Sequence, residues 1–162
     1  MSQIINYGSA CIDHVFQVPH FVSAGETLSS TGYAIFPGGK GLNQSIAVAE
    51  AGCAIAHVGA VGEDGRWLTE LMATRGVDIT NTSILKTPTG QAILQIDPNG
   101  ENAIIILGGA NLSPHDHLID AALAQTRGDE ILLIQNETSG NETAIRRAKA
   151  KGLKVAFNMA PM

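Results

Sequence analysis

Short apolar runs alternate with stretches of helical periodicity along this chain, and few folds accommodate that alternation. Ile4, Ile5 and Tyr7 make a buried first strand that ends at Gly8. Lys40 to Ala51 reads as a helix through Leu42, Ile46, Ala47 and Ala49, with Gly52 as its terminating glycine. Ala54 to Val61 is a strand by length and composition. Asp64 is placed to cap a second helix carrying Trp67, Leu68, Leu71 and Met72, which Gly76 stops. Further on, Ser113 and Pro114 form a helix start, with Ser as cap and Pro in the first helical position. Ile131–Ile134 is a strand, Asn141–Lys151 a helix and Leu153–Phe157 a strand. Strands alternating with helices imply a parallel sheet with helices packed on its faces.

Two segments break the pattern. Glu26 to Phe36 is rich in Thr, Tyr and Ile, which favours strand. Thr89 to Leu107 reads as a hairpin turning at Asp97-Pro98-Asn99-Gly100, where Asn and Gly both tolerate positive φ. These inserts are expected to form a small sheet of their own beside the main one.

In an open α/β sheet, ligands bind beyond the carboxyl ends of the parallel strands. The residues after the first apolar run are Gly8, Ser9, Cys11 and Asp13; after Ile131–Ile134 come Gln135, Asn136 and Glu137, and after Leu153–Phe157 comes Asn158. Polar groups therefore gather on one rim, as a small polar ligand requires. Each also suits a structural role: Asp13 in a turn, Glu137 as an acid at a helix N-terminus, Asn158 in a loop.

Gly38-Gly39-Lys40-Gly41 invites a nucleotide-phosphate reading, and two templates reject it. A Walker loop requires Gly where Ala34 stands and Ser or Thr where Gly41 stands. A dinucleotide fingerprint starting at Gly39 requires Gly where Gln44 stands. Two glycines before a helix let backbone approach a ligand with amide donors exposed, and Lys40, Asn43 and Gln44 add polar groups suited to hydroxyls or an anion. A tight turn with a surface lysine is the alternative.

The net charge of −5 and scattered basic residues give little support to nucleic-acid binding. Arg146, Arg147, Lys149, Lys151 and Lys154 do cluster, at the spacing of a solvated helix face. Cys11 and Cys53 make neither a metal spacing nor a disulfide framework, and no metal site is expected. The N-terminus does not read as a signal peptide, and Ala103–Leu107 is too short to span a bilayer, so a cytoplasmic protein is expected.

Gly38-Gly39-Lys40-Gly41-Leu42-Asn43-Gln44, followed by Ala47, Ala49 and Gly52, resembles the first signature of the ribokinase family, the phosphofructokinase-B type of carbohydrate kinases. Gly8-Ser9 with Asp13, Gly25-Glu26-Thr27, Gly59 to Gly65, Gly109-Ala110-Asn111 and Glu137 also match that family in order and spacing, so the resemblance covers essentially the whole chain. It implies a doubly wound, three-layer αβα sheet with a small β-lid, built here from segments near 14–36 and 89–107, with residues 1–162 forming the N-terminal substrate-binding portion. It implies sugar binding through Cys11, Asp13, Gly39, Lys40, Gly41, Asn43 and Glu137, with ATP and Mg2+ as cofactors. Cys11 stands where ribokinases commonly place an asparagine, and a thiol is the poorer hydrogen-bonding group. The lid implies a homodimer.

Family members are about twice as long, and their later half carries an N-x-x-E motif near magnesium and the phosphates and a G-A-G-D motif holding the catalytic base. Neither pattern occurs here. The catalytic residues are therefore expected outside this chain, which alone is expected to lack kinase turnover and to associate with a complementary C-terminal half. The alternative is a non-catalytic remnant that binds sugar or dimerises through the lid.

Overall fold

The computed structural model describes residues 3–113 and 115–161. Five strands form an all-parallel sheet: β1 (Ile4–Tyr7), β4 (Ile55–Gly62), β5 (Thr82–Leu85), β8 (Ile131–Gln135) and β9 (Lys154–Asn158), in the order β5-β4-β1-β8-β9. Ile4 lies opposite both Ile55 and Ile131, so β1 is central. Alternation along β1 divides the core between the sheet's two faces. Ile5 and Tyr7 pack with Leu118, Leu123 and Ala144 of α3 (Asp116–Ala124) and α4 (Asn141–Ala150). Ile4 joins the opposite cluster, where Leu42 of α1 (Lys40–Glu50) meets Leu68 and Met72 of α2 (Arg66–Thr74). This is the doubly wound, three-layer architecture expected from the alternation.

The inserts form the second sheet, in the order β3-β2-β6-β7: β2 (Cys11–Gln17), β3 (Gly32–Gly38), β6 (Gly90–Ile96) and β7 (Asn102–Leu107). β2 pairs antiparallel with β3 and parallel with β6, and β6–β7 is the anticipated hairpin.

Local readings change in several places. Strand β2 alternates Cys11, Asp13 and Val15 with Ile12, His14 and Phe16, so neither side is uniformly apolar; pairing with β3 and β6 decides it. Strand structure in the first insert starts only at Gly32, six residues beyond Glu26. At the hairpin turn only Gly100 takes positive φ, at 81°, while the Asp97 carboxylate accepts from the Asn99 and Glu101 amides. Asp64 does not cap α2. It sits in a 3-10 turn, Glu63–Gly65, and accepts from the Thr89 amide at 3.0 Å and hydroxyl at 2.7 Å, tying down the entry to β6. Helix α3 starts at Asp116, after Ser113, without a side-chain cap; Pro114 lies outside the described residues. Gly52 does terminate α1, with φ 85° and its amide on Ala49 O. Among the described residues, no helix is long and apolar enough to cross a membrane.

Candidate functional site

Helix α1 begins directly against the end of β1. Gly39 turns the chain with φ 91°, and Gly41 lies so close to Gly8 that a Cβ added to Gly8 would sit 2.6 Å from its Cα. Three of the first amides of the helix, which lack intrahelical partners, are engaged. Lys40 N donates to Glu137 Oε2 at 2.9 Å, Gly41 N to Ser9 Oγ at 3.2 Å and Leu42 N to Ser9 O at 2.8 Å. The glycines therefore seat the helix on β1 and do not expose its amides to a ligand. Glu137 does act as an acid at a helix N-terminus, but for α1, far away in sequence, rather than for α4 which follows it.

A cleft of about 500 Å³ opens at this end of the parallel sheet. Gly39, Lys40, Asn43, Asn111 and Glu137 line it from the side of the parallel sheet, and Cys11 and Asp13 reach it from β2 of the small sheet. Its other wall is the inner face of the small sheet, Ala92 and Leu94 of β6 with Ile104 and Ile106 of β7. Asp13 pairs with Ala92 across β2–β6, and Ala92 with Ile106 across β6–β7, which puts them on one face. Asp13 belongs to a strand, and the turn reading falls away. Gly41 is the one anticipated site residue that does not line the cleft; it is buried beneath Gly8 and Ser9.

The charges in the cleft are arranged as a pair and a neighbour. Lys40 Nζ donates to Glu137 Oε1 at 2.6 Å, and Ser9 Oγ to Glu137 Oε2 at 2.5 Å. Burial pushes the Glu137 carboxyl up, but the Lys40 side chain, Ser9 and the Lys40 amide outweigh it and hold its pKa below the usual range. Asp13 moves the other way: burial and the nearby Glu137 charge raise it, against the pull of His14 and Lys40. Burial, followed by the charges of Glu137 and Asp13, pushes the Cys11 thiol up to about 12, so it remains protonated.

This donor set suits hydroxyls and does not suit a nucleoside triphosphate. Lys40 is, among the described residues, the single cation lining the cleft and is already matched by Glu137, while the Lys40 and Gly41 amides are occupied. Among the described residues, no three His, Cys, Asp or Glu groups are placed to hold a metal ion.

Beneath the cleft runs a buried polar row of which sequence reading named only Gln44 and Gln135, both as groups facing a ligand. Gln135 Nε2 donates to Gln44 Oε1 at 2.6 Å and to Asn6 Oδ1 at 2.8 Å; Asn6 Nδ2 donates to Gly41 O at 2.7 Å and Ser45 Oγ at 2.8 Å. Ser45 Oγ in turn meets His57 Nδ1 at 2.9 Å. Burial depresses the His57 pKa to about 4 against the pull of the Gly8 carbonyl, so the imidazole is neutral. An Asn inside Ile-Ile-Asn-Tyr and a Gln closing Ile-Leu-Leu-Ile-Gln were the available signals. A smaller cavity of about 220 Å³ lies where the parallel strands begin, lined by Ile5, Asp78, Asn81, Gln125 and Glu130 among others.

The model of the pfkB family of carbohydrate kinases matches residues 1–159. A ribokinase of Haemophilus influenzae is 38% identical over 159 residues, covering 95% of this chain and 52% of that protein. The ribokinase of Cryptococcus neoformans var. grubii, solved in complex with ADP, superposes with a TM-score of 0.80 at 37% identity, covering 100% of this chain and 50% of that one. The Arabidopsis thaliana ribokinase, solved with ribose and ATP, superposes with a TM-score of 0.82 at 28% identity, covering 100% and 55%. The chain spans about half the length of the relatives it matches.

Proposed function

The chain belongs to the pfkB family of carbohydrate kinases, and from that premise we propose that it is the sugar-binding portion of an ATP-dependent kinase acting on a hydroxyl of ribose or a related sugar. One observation carries the reading. Lys40, Asn43 and Glu137, at the carboxyl end of the parallel sheet, converge with Asp13 of the small sheet, whose inner face is otherwise apolar here. Carboxylates accept from vicinal hydroxyls, the amide and ammonium donate to them, and Ala92, Leu94, Ile104 and Ile106 cover the sugar's C–H surface. Inside such a site an unmatched hydroxyl is costly, which gives selectivity. The groups that hold ATP and Mg2+ and the general base are assigned to sequence of the kind that makes the relatives longer. Both cysteines are free thiols, in keeping with the cytoplasmic setting we assign.

Titration calorimetry with ribose, 2-deoxyribose and fructose tests the proposal. At least one sugar binds, and Asp13→Ala weakens it by about tenfold or more, as expected for a lost hydrogen bond to a charged group. Absence of binding across the panel, or an unaffected Asp13→Ala, overturns it. A coupled ATP-consumption assay on the 162-residue protein is expected to show no turnover, and sustained turnover overturns the assignment of catalysis to other sequence.

The outer face of the small sheet favours a second role, self-association through the lid, with or without catalysis. Tyr33, Ile35, Ile105 and Leu107 are all exposed there, and contiguous exposed apolar surface marks association sites. Strand β9 leaves another open edge, with Phe157 and Met159 exposed beside it, which a complementary chain would cover. Sedimentation with and without Ile105→Asp decides the first: a dimer that the substitution dissociates supports it, and an unchanged sedimentation coefficient rejects it.

A further inference from the structure

The chain passes between the two sheets at Ser9–Cys11, Gly38–Gly39, Pro88–Gly90 and Leu107–Gly109. All of these crossings meet at one point. A Cβ on Gly39 would lie 2.9 Å from Ala10 Cα and 3.0 Å from Cys11 N, so the second crossing rests on the first. Ala110 N donates to Pro88 O at 2.8 Å, joining the fourth to the third. A Cβ on Gly90 would run into Asn111 Nδ2 and sit 3.0 Å from Cys11 Sγ, bringing the third against the first.

Asn111 occupies the centre of this junction and is only 2% exposed. Its Oδ1 accepts from Ala10 N at 3.0 Å, and its Nδ2 donates to Ala10 O at 3.0 Å and to Cys11 Sγ at 3.4 Å. The carboxamide thus gives Ala10, which lies between β1 and β2, the paired contacts a neighbouring strand would give. Both its donor hydrogens are used, so although it lines the cleft it has none left for a sugar. Whatever it does for the ligand it does through Ala10 and Cys11.

We propose that Asn111 is a positioning residue: by pinning Ala10 it fixes where β2 leaves the parallel sheet. That sets Cys11, Asp13 and the lid against Lys40 and Glu137. The pin stands on hydrogen bonding alone; only its effect on affinity rests on the sugar reading.

The test uses the full chain carrying Cys53→Ser, which removes the exposed thiol and leaves Cys11 as the reporter. Three quantities are read: Ala10 amide exchange relative to Ile5 and Tyr7, the rate of Cys11 alkylation by iodoacetamide, and ribose affinity. Asn111→Ala is expected to speed both Ala10 exchange and Cys11 alkylation by about tenfold or more, and to weaken ribose by a similar factor. Leu123→Ala, in the core under α3, controls for lost stability: it lowers the melting temperature without selectively exposing Ala10 or changing ribose affinity. Asn111→Asp keeps the shape. Ionised, it cannot donate to Ala10 O or Cys11 Sγ, and it faces Asp13, Glu137, Lys40 and the thiol of Cys11, with His115 behind Ala110. Protonated, it regains a donor, so its affinity relative to the parent protein recovers as pH falls through the carboxyl range. An Ala10 amide that stays protected in Asn111→Ala, or a Leu123→Ala variant that shows the same selective changes, overturns the proposal. If the parent protein binds no ribose, the sugar reading fails, and exchange and alkylation still decide the pin.

Discussion

The two sheets differ in how they are held. The parallel sheet is covered on both faces, and β4 is buried along its whole length from Ile55 to Gly62. Among the described residues no helix layer covers the small sheet, and β7 runs from Asn102 to Leu107 with most of its residues exposed. One sheet is a core and the other a surface held by its neighbours at a seam. The candidate site lies on that seam, where Asp13 comes from the lid side, Lys40 and Glu137 from the core side, and glycines let the backbones touch. Rigid support on one side and a lightly held wall on the other suit a cleft that must admit a ligand and then exclude water.

The two sheets should differ most in what a deleted side chain costs. Ile134 is 0% exposed and Ile105 is 67% exposed. Ile134→Ala is expected to cost about 2–5 kcal/mol in denaturant unfolding, and Ile105→Ala about 0.5 kcal/mol or less. Equal costs would mean that the lid is buried in solution, as in a dimer.

Acid should act mainly through the buried parallel sheet. His57 in the parallel sheet has a pKa near 4 when folded against 6.5 ordinarily. Because its folded pKa is lowered, its contribution is fully present above about pH 6.5 and is lost as pH falls toward 4. The difference corresponds to about 3 kcal/mol. Urea unfolding near neutral pH and near pH 4 should show the parent protein losing about that much more than His57→Gln. Glu137, whose pKa is also lowered, likewise contributes stability above its unfolded pKa that disappears on acidification; Asp13, raised, contributes with the opposite sign. A parent and His57→Gln that lose stability in parallel would show that His57 is not buried neutral.

The smallest effects distinguish kinds of glycine. Gly100 sits at the hairpin turn with φ 81° and no atom within 4 Å of a built Cβ, so Gly100→Ala should cost about 1 kcal/mol, from backbone strain alone. At Gly41 a side chain would run into Ser9 N and Gly8, both backbone, so Gly41→Ala should cost more and also weaken sugar binding by moving Lys40. Comparable melting temperatures for the two variants would mean that α1 is free to shift away from β1.

Much of the site was legible because its residues follow apolar runs. Asp13 and Glu137 could be placed on the strand-end rim from local pattern, Lys40 and Asn43 stood out after the Gly-Gly turn, and the structure puts all four around one cleft. Asn111 was visible only as part of Gly-Ala-Asn, since nothing local says that its carboxamide will meet Ala10, about a hundred residues earlier. The amides of α1 were misread for the same reason: their partners, Ser9 and Glu137, come from two other elements. Strand β5 was missed because Thr-Ser-Ile-Leu is too short to declare itself without β4 alongside.

The sequence by itself determined the layers of this protein, because burial on two faces demands apolar strands and burial on one face demands helical periodicity, and both are written in neighbouring residues. It also determined that Gly38-Gly39-Lys40-Gly41 fits neither the Walker nor the dinucleotide template. Only the tertiary structure decided what those glycines are for. Close approach is a property of two backbones at once, and Gly41 must be small because Gly8 and Ser9 stand against it. Lys40 is matched because Glu137, distant along the chain, reaches the same helix end.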